Sequence, residues 1–388
     1  MTYKSFEDFY HNAEIKHLVL FEHNNYLISP PFCTDKCKDY SRVLIYKDGN
    51  IRWLDVDTPP ATSKYNSMVS IGNSMFFAPY GIWDEFNTVL ELNLSGPGKA
   101  TYHTLTSTGK GQFYNMSTDG VTAFAAPLGY EPVSFCLFIK DGIVKQVAVP
   151  ESPALKRHMG SVFLNGNYYS PPRGETLDYN CILKFNPDTE SVTMIEVADL
   201  PESKRKYSDF IAVGNKLYAL PFGREQYLQH MLVLDTTDDS VELVKLNVPQ
   251  FMKKYNAGVV LGDTIIAMPY GHKDDGDANY GLVFNTTTHE HSTFDIGEAF
   301  GGKYRFRCGV EFNGLAVFLP AGTPGAPIIA VDKQGNVVYK QIIPEYIIGR
   351  PLIHNDVIHS IAYHIETKKH YIFMLDKDFN VTYNSIGI

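Results

Sequence analysis

A cation recurs along this chain at intervals of 46–50 residues, at Lys16, Lys64, Lys110, Lys156, Lys206, Lys254, Lys303 and Arg350. Four are followed by tyrosine: Lys64-Tyr65, Lys206-Tyr207, Lys254-Tyr255 and Lys303-Tyr304. Lys156 is followed by Arg157 and His158. Lysine is a point charge, and arginine a two-pronged fork for carboxylate or phosphate. Tyrosine can stack on a sugar or donate its hydroxyl. Gathered in one place, these side chains could hold an anion. With His158, Tyr207 or Tyr255 moving a proton while a cation neutralises a carboxylate, they could also run a β-elimination on an acidic sugar. The alternative is structural: each cation pairs with an acid on the next unit, such as Asp209 or Glu225, and latches the units together. Paired carboxylates at fixed spacing, Gly-x-Ser-x-Gly and a phosphate-binding glycine loop are absent from the sequence, so these candidates are the only catalytic ones.

Metal chemistry has little to build on. The stretch His272-Lys273-Asp274-Asp275-Gly276-Asp277-Ala278-Asn279 alternates acids like a calcium loop, but lacks that motif's sixth-position glycine and distal glutamate. Cys33-Thr34-Asp35-Lys36-Cys37 has no second pair at zinc-site spacing. No metal and no cofactor are expected.

The elements that must position the cations are short strands. Residues 206–246 read as four: Phe210 to Val213, Lys216 to Pro221, Met231 to Asp235 and Val241 to Leu246, with breaks at Gly214-Asn215, 222–230 and 236–240. Strands of this length bounded by Gly, Pro, Asn and Asp indicate an antiparallel meander. The unit repeats. Pro-x-Gly closes the second strand at Pro79, Pro127, Pro172, Pro221, Pro269 and Pro320, with Pro31 at the matching place but without the glycine. An apolar residue followed by Asp or Asn closes the third strand at Leu92-Asn93, Phe185-Asn186, Leu234-Asp235, Phe284-Asn285, Val331-Asp332 and Leu375-Asp376. Units of about 40–50 residues with four strands each are propeller blades. One such sheet cannot bury both faces, whereas sheets packed round an axis can. The ends carry apolar strands rather than the polar caps of an open solenoid. The expected fold is therefore all-β: a closed propeller of four-stranded antiparallel blades, eight favoured and seven the alternative. A single propeller domain is expected over 16–388, preceded by an extension over 1–15 in which Phe6, Phe9 and Tyr10 have the spacing of a short helix packed on the ring.

Composition bounds the function. A formal net charge of −9 over 388 residues, with no basic tail, argues against nucleic acid as a partner. The first residues lack the apolar core of a signal peptide, and no run of about 18 apolar residues exists to span a membrane. Five scattered cysteines are not a disulfide framework. A cytoplasmic or virion-associated location is expected.

With first strand, Gly-Asn turn, aromatic second strand ending in a glycine motif, long loop, and third strand ending in Asp, the pattern resembles the kelch-like propellers. Pro-x-Gly replaces their double glycine and the fourth-strand tryptophan is missing. It is also similar to repeat proteins of large viruses and tailed phages. The resemblance implies a binding module. Its long, dissimilar second-to-third loops, including 82–87, 174–180, 223–230 and 271–280, share one end of the ring with the connectors that carry the cations. A protein or acidic glycan is the expected partner of that face, with a Lys/Tyr-lined channel mouth at its centre. A lyase-like enzyme on acidic glycans and an anion or nucleotide sensor are the alternatives.

Overall fold

The computed structural model describes residues 13–388 except 96–97, 107–108, 130–132, 151–154, 225–227, 272–278, 298–305, 321–326 and 344. Lys303, Tyr304, Glu225, the calcium-like stretch up to residue 278 and the three N-terminal aromatics lie outside the described residues.

Eight antiparallel sheets follow one another, each built from consecutive strands. We number them as blades 1–8, spanning 21–55, 65–104, 117–148, 162–196, 210–245, 255–295, 306–342 and 346–385. Blade 5 comprises Phe210–Val213, Lys216–Ala219, His230–Asp235 and Ser240–Lys245. These are the four strands read from the sequence, within two residues at each end. The third strand is the core of every blade. Met231, Leu232, Val233 and Leu234 are all buried, because both faces of the sheet meet a neighbouring blade. The fourth strand alternates exposed and half-buried residues in blades 1, 4 and 5, as the outer rim requires.

Among the described residues, no strand is exchanged between the first and last blades to close the ring. Leu20, Leu27 and Leu44 of the first unit pack against Ile361, Ile372 and Ile386 of the last. The Lys16 amide also donates to His370 Nε2 at 3.1 Å, so the two ends of the chain meet through a hydrogen bond and an apolar seam.

The repeated anchors build a backbone belt around the axis. In blade 5 the Lys206 amide donates to Arg173 O of blade 4 at 2.9 Å, and Lys206 O accepts from Phe222 at 2.8 Å. Phe222 O then accepts from Lys254 of blade 6 at 2.8 Å, and Lys254 O from Tyr270 at 2.7 Å. The same pattern links Lys16, Phe32, Lys64, Tyr80, Gln112 and Leu128. Beside each belt residue the chain is left-handed. Gly81, Gly129, Gly174 and Gly223 have φ of +54 to +64°, and Cys33 takes the position at +65° where the first unit lacks glycine. At Gly174 a Cβ would lie 2.6 Å from the Tyr179 Cβ, so glycine relieves both backbone and packing there. On the connector side, Ser63, Gly111, Lys156, Arg205 and Lys253 have φ of +49 to +63°.

Candidate functional site

The belt register corrects the alignment of the cations. Residues that accept from the position after the second-strand proline are Lys16, Lys64, Gln112, Arg157, Lys206 and Lys254. Gln112 and Arg157 therefore hold the places that spacing alone gave to Lys110 and Lys156. In blade 7, Phe306 pairs with Pro320 as Tyr65 pairs with Pro79, so the Tyr65 register belongs to Phe306 rather than Tyr304. In blade 8, Ile347 pairs with Tyr363, which puts Arg350 three residues beyond the belt. Matching cations by type slid the copies by one to three residues.

At the belt register the side chain reaches back to the preceding blade. Lys64, Lys206 and Lys254 are fully buried. Lys64 Nζ donates to Tyr40 O, Ser41 Oγ and Thr58 Oγ1 at 3.0, 3.1 and 3.2 Å. Lys206 Nζ donates to Leu177 O and Tyr179 O at 2.6 and 2.9 Å. Lys254 Nζ donates to Phe251 O at 2.5 Å. Gln112 Nε2 donates to Phe86 O and Gly109 O at 3.4 and 3.2 Å. Arg157 donates to Pro150 O at 2.8 Å and to Val133 O. Lys, Gln and Arg share the place because the requirement is for N–H donors, not charge. Burial accordingly lowers Lys206 and Lys254 to about 8. These acceptors are backbone carbonyls and, for Lys64, two hydroxyls, rather than the carboxylates a charge latch would use. The neighbouring tyrosines turn inward too. Tyr207 and Tyr255 donate to His230 O and Tyr280 O of their own blades at 3.1 and 3.4 Å, and Tyr65 is fully buried.

His158 is also buried. Its Nδ1 bonds Pro171 O at 3.1 Å and its Nε2 meets the Tyr179 hydroxyl at 2.8 Å. Desolvation holds it at about 3, so it is a neutral tie at physiological pH. Cys33 and Cys37 are buried, with thiols donating to Tyr40 O and Ile15 O at 3.2 and 3.1 Å. No group of three or more metal-ligating side chains occurs among the described residues.

Two other cation groups are differently placed. On the loop face, between blades 4 and 5, the Glu175 carboxylate is met by Lys156 Nζ at 2.7 Å, Arg205 at 2.5 Å and Arg224 at 3.8 Å. Their side chains keep 13, 20 and 42% of their surface exposed. Lys156 and Arg205 are left-handed connector residues, so their side chains leave the belt rather than fold into it. Lys16, at the first unit, lies 3.5 Å from Glu14, and Lys110 is half-buried.

The second group lies at the hub. Inner strands bulge immediately after the belt, between Tyr65 and Met68, Tyr255 and Gly258, and Phe306 and Gly309. In blade 8 the inner strand breaks in two around Gly349-Arg350-Pro351. Bulges re-aim side chains. Here they send Arg307 and Arg350 across the hub onto the ring of Tyr114 of blade 3, with 5.3 and 4.9 Å from guanidinium carbon to ring centroid. Arg173 joins from blade 4, lying over Phe222 at 5.3 Å and donating to Ser208 Oγ at 3.0 Å. Ser208 passes the chain to Asn256 Oδ1 at 2.9 Å, and Asn256 Nδ2 donates to Arg307 O at 3.2 Å. The charges of all three guanidinium groups act on Asp209. Burial raises its carboxyl in spite of Arg350, Arg173 and Arg307, and its Oδ1 is buried with no hydrogen-bond partner. Gly160 makes room for it, since a Cβ there would sit 1.6 Å from that oxygen.

Sequence reasoning missed Arg173, Arg307 and Tyr114, and weighed Asp209 only as a latch partner. The available signal was a departure from the repeat. Arg173 is the one cation at the middle of Pro-x-Gly, where other copies carry Tyr80, Leu128, Phe222, Tyr270 and Ala321.

No family model matches the chain, and no curated protein matches it in sequence. Solved propellers match in fold. BamB from Moraxella catarrhalis matches with a TM-score of 0.59 at 12% identity, over 90% of this chain and 96% of that one. Apo AztD from Citrobacter koseri gives 0.55 at 10% identity, over 95% and 94%. The dihydro-heme d1 dehydrogenase NirN, in complex with DHE, gives 0.59 at 9% identity, over 96% and 74%. At these identities the likeness is one of fold, and its members include an enzyme.

Proposed function

We propose that this chain is a binding propeller that presents its loop face to an acidic partner, an acidic glycan or an acidic protein segment. The observation that carries this is the division of labour among its cations. Lys64, Lys206 and Lys254 are buried and bonded to carbonyl or hydroxyl oxygens, whereas Lys156, Arg205 and Arg224 gather, partly exposed, around the carboxylate of Glu175. Among the described residues these cations are grouped at one place on a protein of net charge −9, and grouped cations focus the field on their patch. Loops on a rigid scaffold are where binding residues concentrate. An elimination centred on His158 finds less support, because both ring nitrogens are bonded inside the blade and the ring is neutral.

The test is binding of the whole protein to immobilised acidic glycans and acidic peptides as salt is raised, beside the double variant Arg205→Glu, Arg224→Glu. We expect affinity to fall with salt, and the folded variant to lose at least about tenfold, the factor that about 1.4 kcal/mol represents. Equal binding by variant and parent would refute the loop-face reading.

A further inference from the structure

We propose that Cys33 and Cys37 form a reversible disulfide, with Cys37 as the attacking thiol, and that this crosslink fastens the segment 13–15 to blade 1. The pair lies in the second-to-third loop of that blade. The inference does not depend on the loop-face reading.

The backbone of one tight turn brings the thiols together. The amide of the peptide that joins Cys33 to Thr34 donates to Cys37 Sγ at 3.3 Å. The Thr34 hydroxyl lies 3.6 Å from the same sulfur. The Cys37 amide donates to Thr34 O at 3.0 Å, closing a single helical turn over Asp35–Cys37. The two cysteine side chains are also within hydrogen-bonding reach of each other. A turn this tight keeps residues four apart within the Cα separation that a disulfide spans, about 4.4–6.8 Å.

Oxidation would strand no buried acceptor. Cys33 donates to Tyr40 O at 3.2 Å, but that oxygen also accepts from Lys64 Nζ at 3.0 Å. Cys37 donates to Ile15 O at 3.1 Å, and that oxygen also accepts from the Thr34 amide at 3.0 Å. Both carbonyls keep an N–H donor when the thiol protons leave, so the cost of an unpaired buried group does not arise.

The two thiols also differ in access. Cys37 keeps 8% of its surface exposed and sits between the exposed Lys36 and Lys38, whereas Cys33 is fully enclosed. The Cys33 thiol does most to hold Cys37 down to about 7, helped by Thr34 against the effect of burial, and burial pushes Cys33 up. A thiol that titrates near ambient pH is the better attacker. The flanking lysines suit an anionic small-molecule disulfide such as oxidised glutathione.

The exchange balances against that oxidant. The Cys37 thiolate attacks one sulfur of the small disulfide, breaks its S–S bond and expels one small thiolate. Cys33 then gives its proton to solvent and attacks the Cys37 sulfur of the mixed disulfide, expelling the second thiolate. Two protein thiols are oxidised, and one external disulfide is reduced to two thiols.

The consequence falls on ring closure. Thr34, between the cysteines, holds the segment 13–15. Its hydroxyl donates to Ala13 O at 2.6 Å and accepts from the Ile15 amide at 3.0 Å. Lys16 comes next, and its amide makes the bond to His370 of blade 8. A crosslink that spans Thr34 therefore stiffens the loop on which this seam rests.

The experiment equilibrates the reduced whole protein at neutral pH in glutathione buffers of rising oxidised fraction. Free thiols are alkylated, and the chain is mapped by mass spectrometry without reduction. We expect a Cys33–Cys37 crosslink, reversed by dithiothreitol, ahead of adducts at Cys136, Cys181 and Cys308, which lie one to a blade in blades 3, 4 and 7. The crosslinked chain should melt about 2 °C above the reduced one. Cys33→Ser should accumulate glutathione on Cys37, and Cys37→Ser should leave Cys33 unmodified. The proposal is overturned by the absence of a crosslink in the folded chain at every buffer ratio, or by adducts at the other three cysteines before it forms. It is equally overturned by an oxidised chain that melts no higher, or by glutathione on Cys33 rather than Cys37. If a serine variant does not fold, the crosslink and the melting shift of the parent decide.

Discussion

Two sets of cations in this ring belong to different strands and are used in opposite ways. The belt set, Lys64, Arg157, Lys206 and Lys254, recurs from blade to blade, is buried, and spends its donors on the oxygens of the preceding blade and its connector. Gln112 belongs to the set without being a cation. The hub set, Arg173, Arg307 and Arg350, occupies unrelated repeat positions; Arg307 and Arg350 lie over the ring of Tyr114, and the charges of all three act on Asp209. In a repeat protein, what recurs serves the interface common to all repeats. What occurs once is free to serve something that is present once.

The sharpest break of this comparison is Lys206→Ala. It strands Leu177 O and Tyr179 O in a buried seam and should cost about 2–4 kcal/mol in denaturant unfolding. Lys206→Gln should cost only about 1 kcal/mol, because a glutamine does this task in blade 3. If both variants lose the same amount, the belt needs charge after all.

Gly174→Ala comes next, at about 1–3 kcal/mol, from a left-handed backbone and the close approach of Tyr179. A loss below about 0.5 kcal/mol would mean that the belt turn has slack.

The pH dependence separates the buried bases from ordinary surface groups. Lys206 and Lys254 titrate near 8 in the folded chain against an ordinary 10.5. Between those values the unfolded chain binds more protons, so stability should rise with pH above about 8. Buried tyrosines such as Tyr207, raised by desolvation, reverse the trend once the unfolded chain begins to lose its phenol protons near 10. His158 and His370 lie near 3 against 6.5. Their contribution is complete above about 6.5 and is lost as pH falls towards 3. A urea midpoint followed from pH 4 to 10 reads both arms, and a flat response above 8 would show that the lysines are not desolvated.

The smallest expected effect is on the hub. Arg350→Met should change stability by less than about 1 kcal/mol, as loss of the contact with Tyr114 is offset by relief from Arg307. A loss comparable to that of Lys206→Ala would place Arg350 with the belt and erase the distinction.

Much of the fold was legible because a blade advertises itself locally. Strand alternation, Gly-Asn turns and the Pro-x-Gly stop are short-range consequences of backbone geometry, and the eight copies reinforce one another. Register at the inner strand was less legible. Nothing in the sequence distinguishes Lys156 from Arg157 as the belt residue, since the choice falls on whichever amide meets the neighbouring carbonyl. The hub cluster was least legible: Arg173, Asp209, Arg307 and Arg350 are neighbours only after the ring has closed.

The sequence by itself determined the module and the positions where the chain must turn, and favoured eight copies over seven, because turn chemistry and strand period act over a few residues. Only the tertiary structure decided which cations are bonded to carbonyls inside the ring and which gather elsewhere. That depends on the carbonyls of the preceding blade and on the side chains of blades across the axis, and neither is a neighbour along the chain.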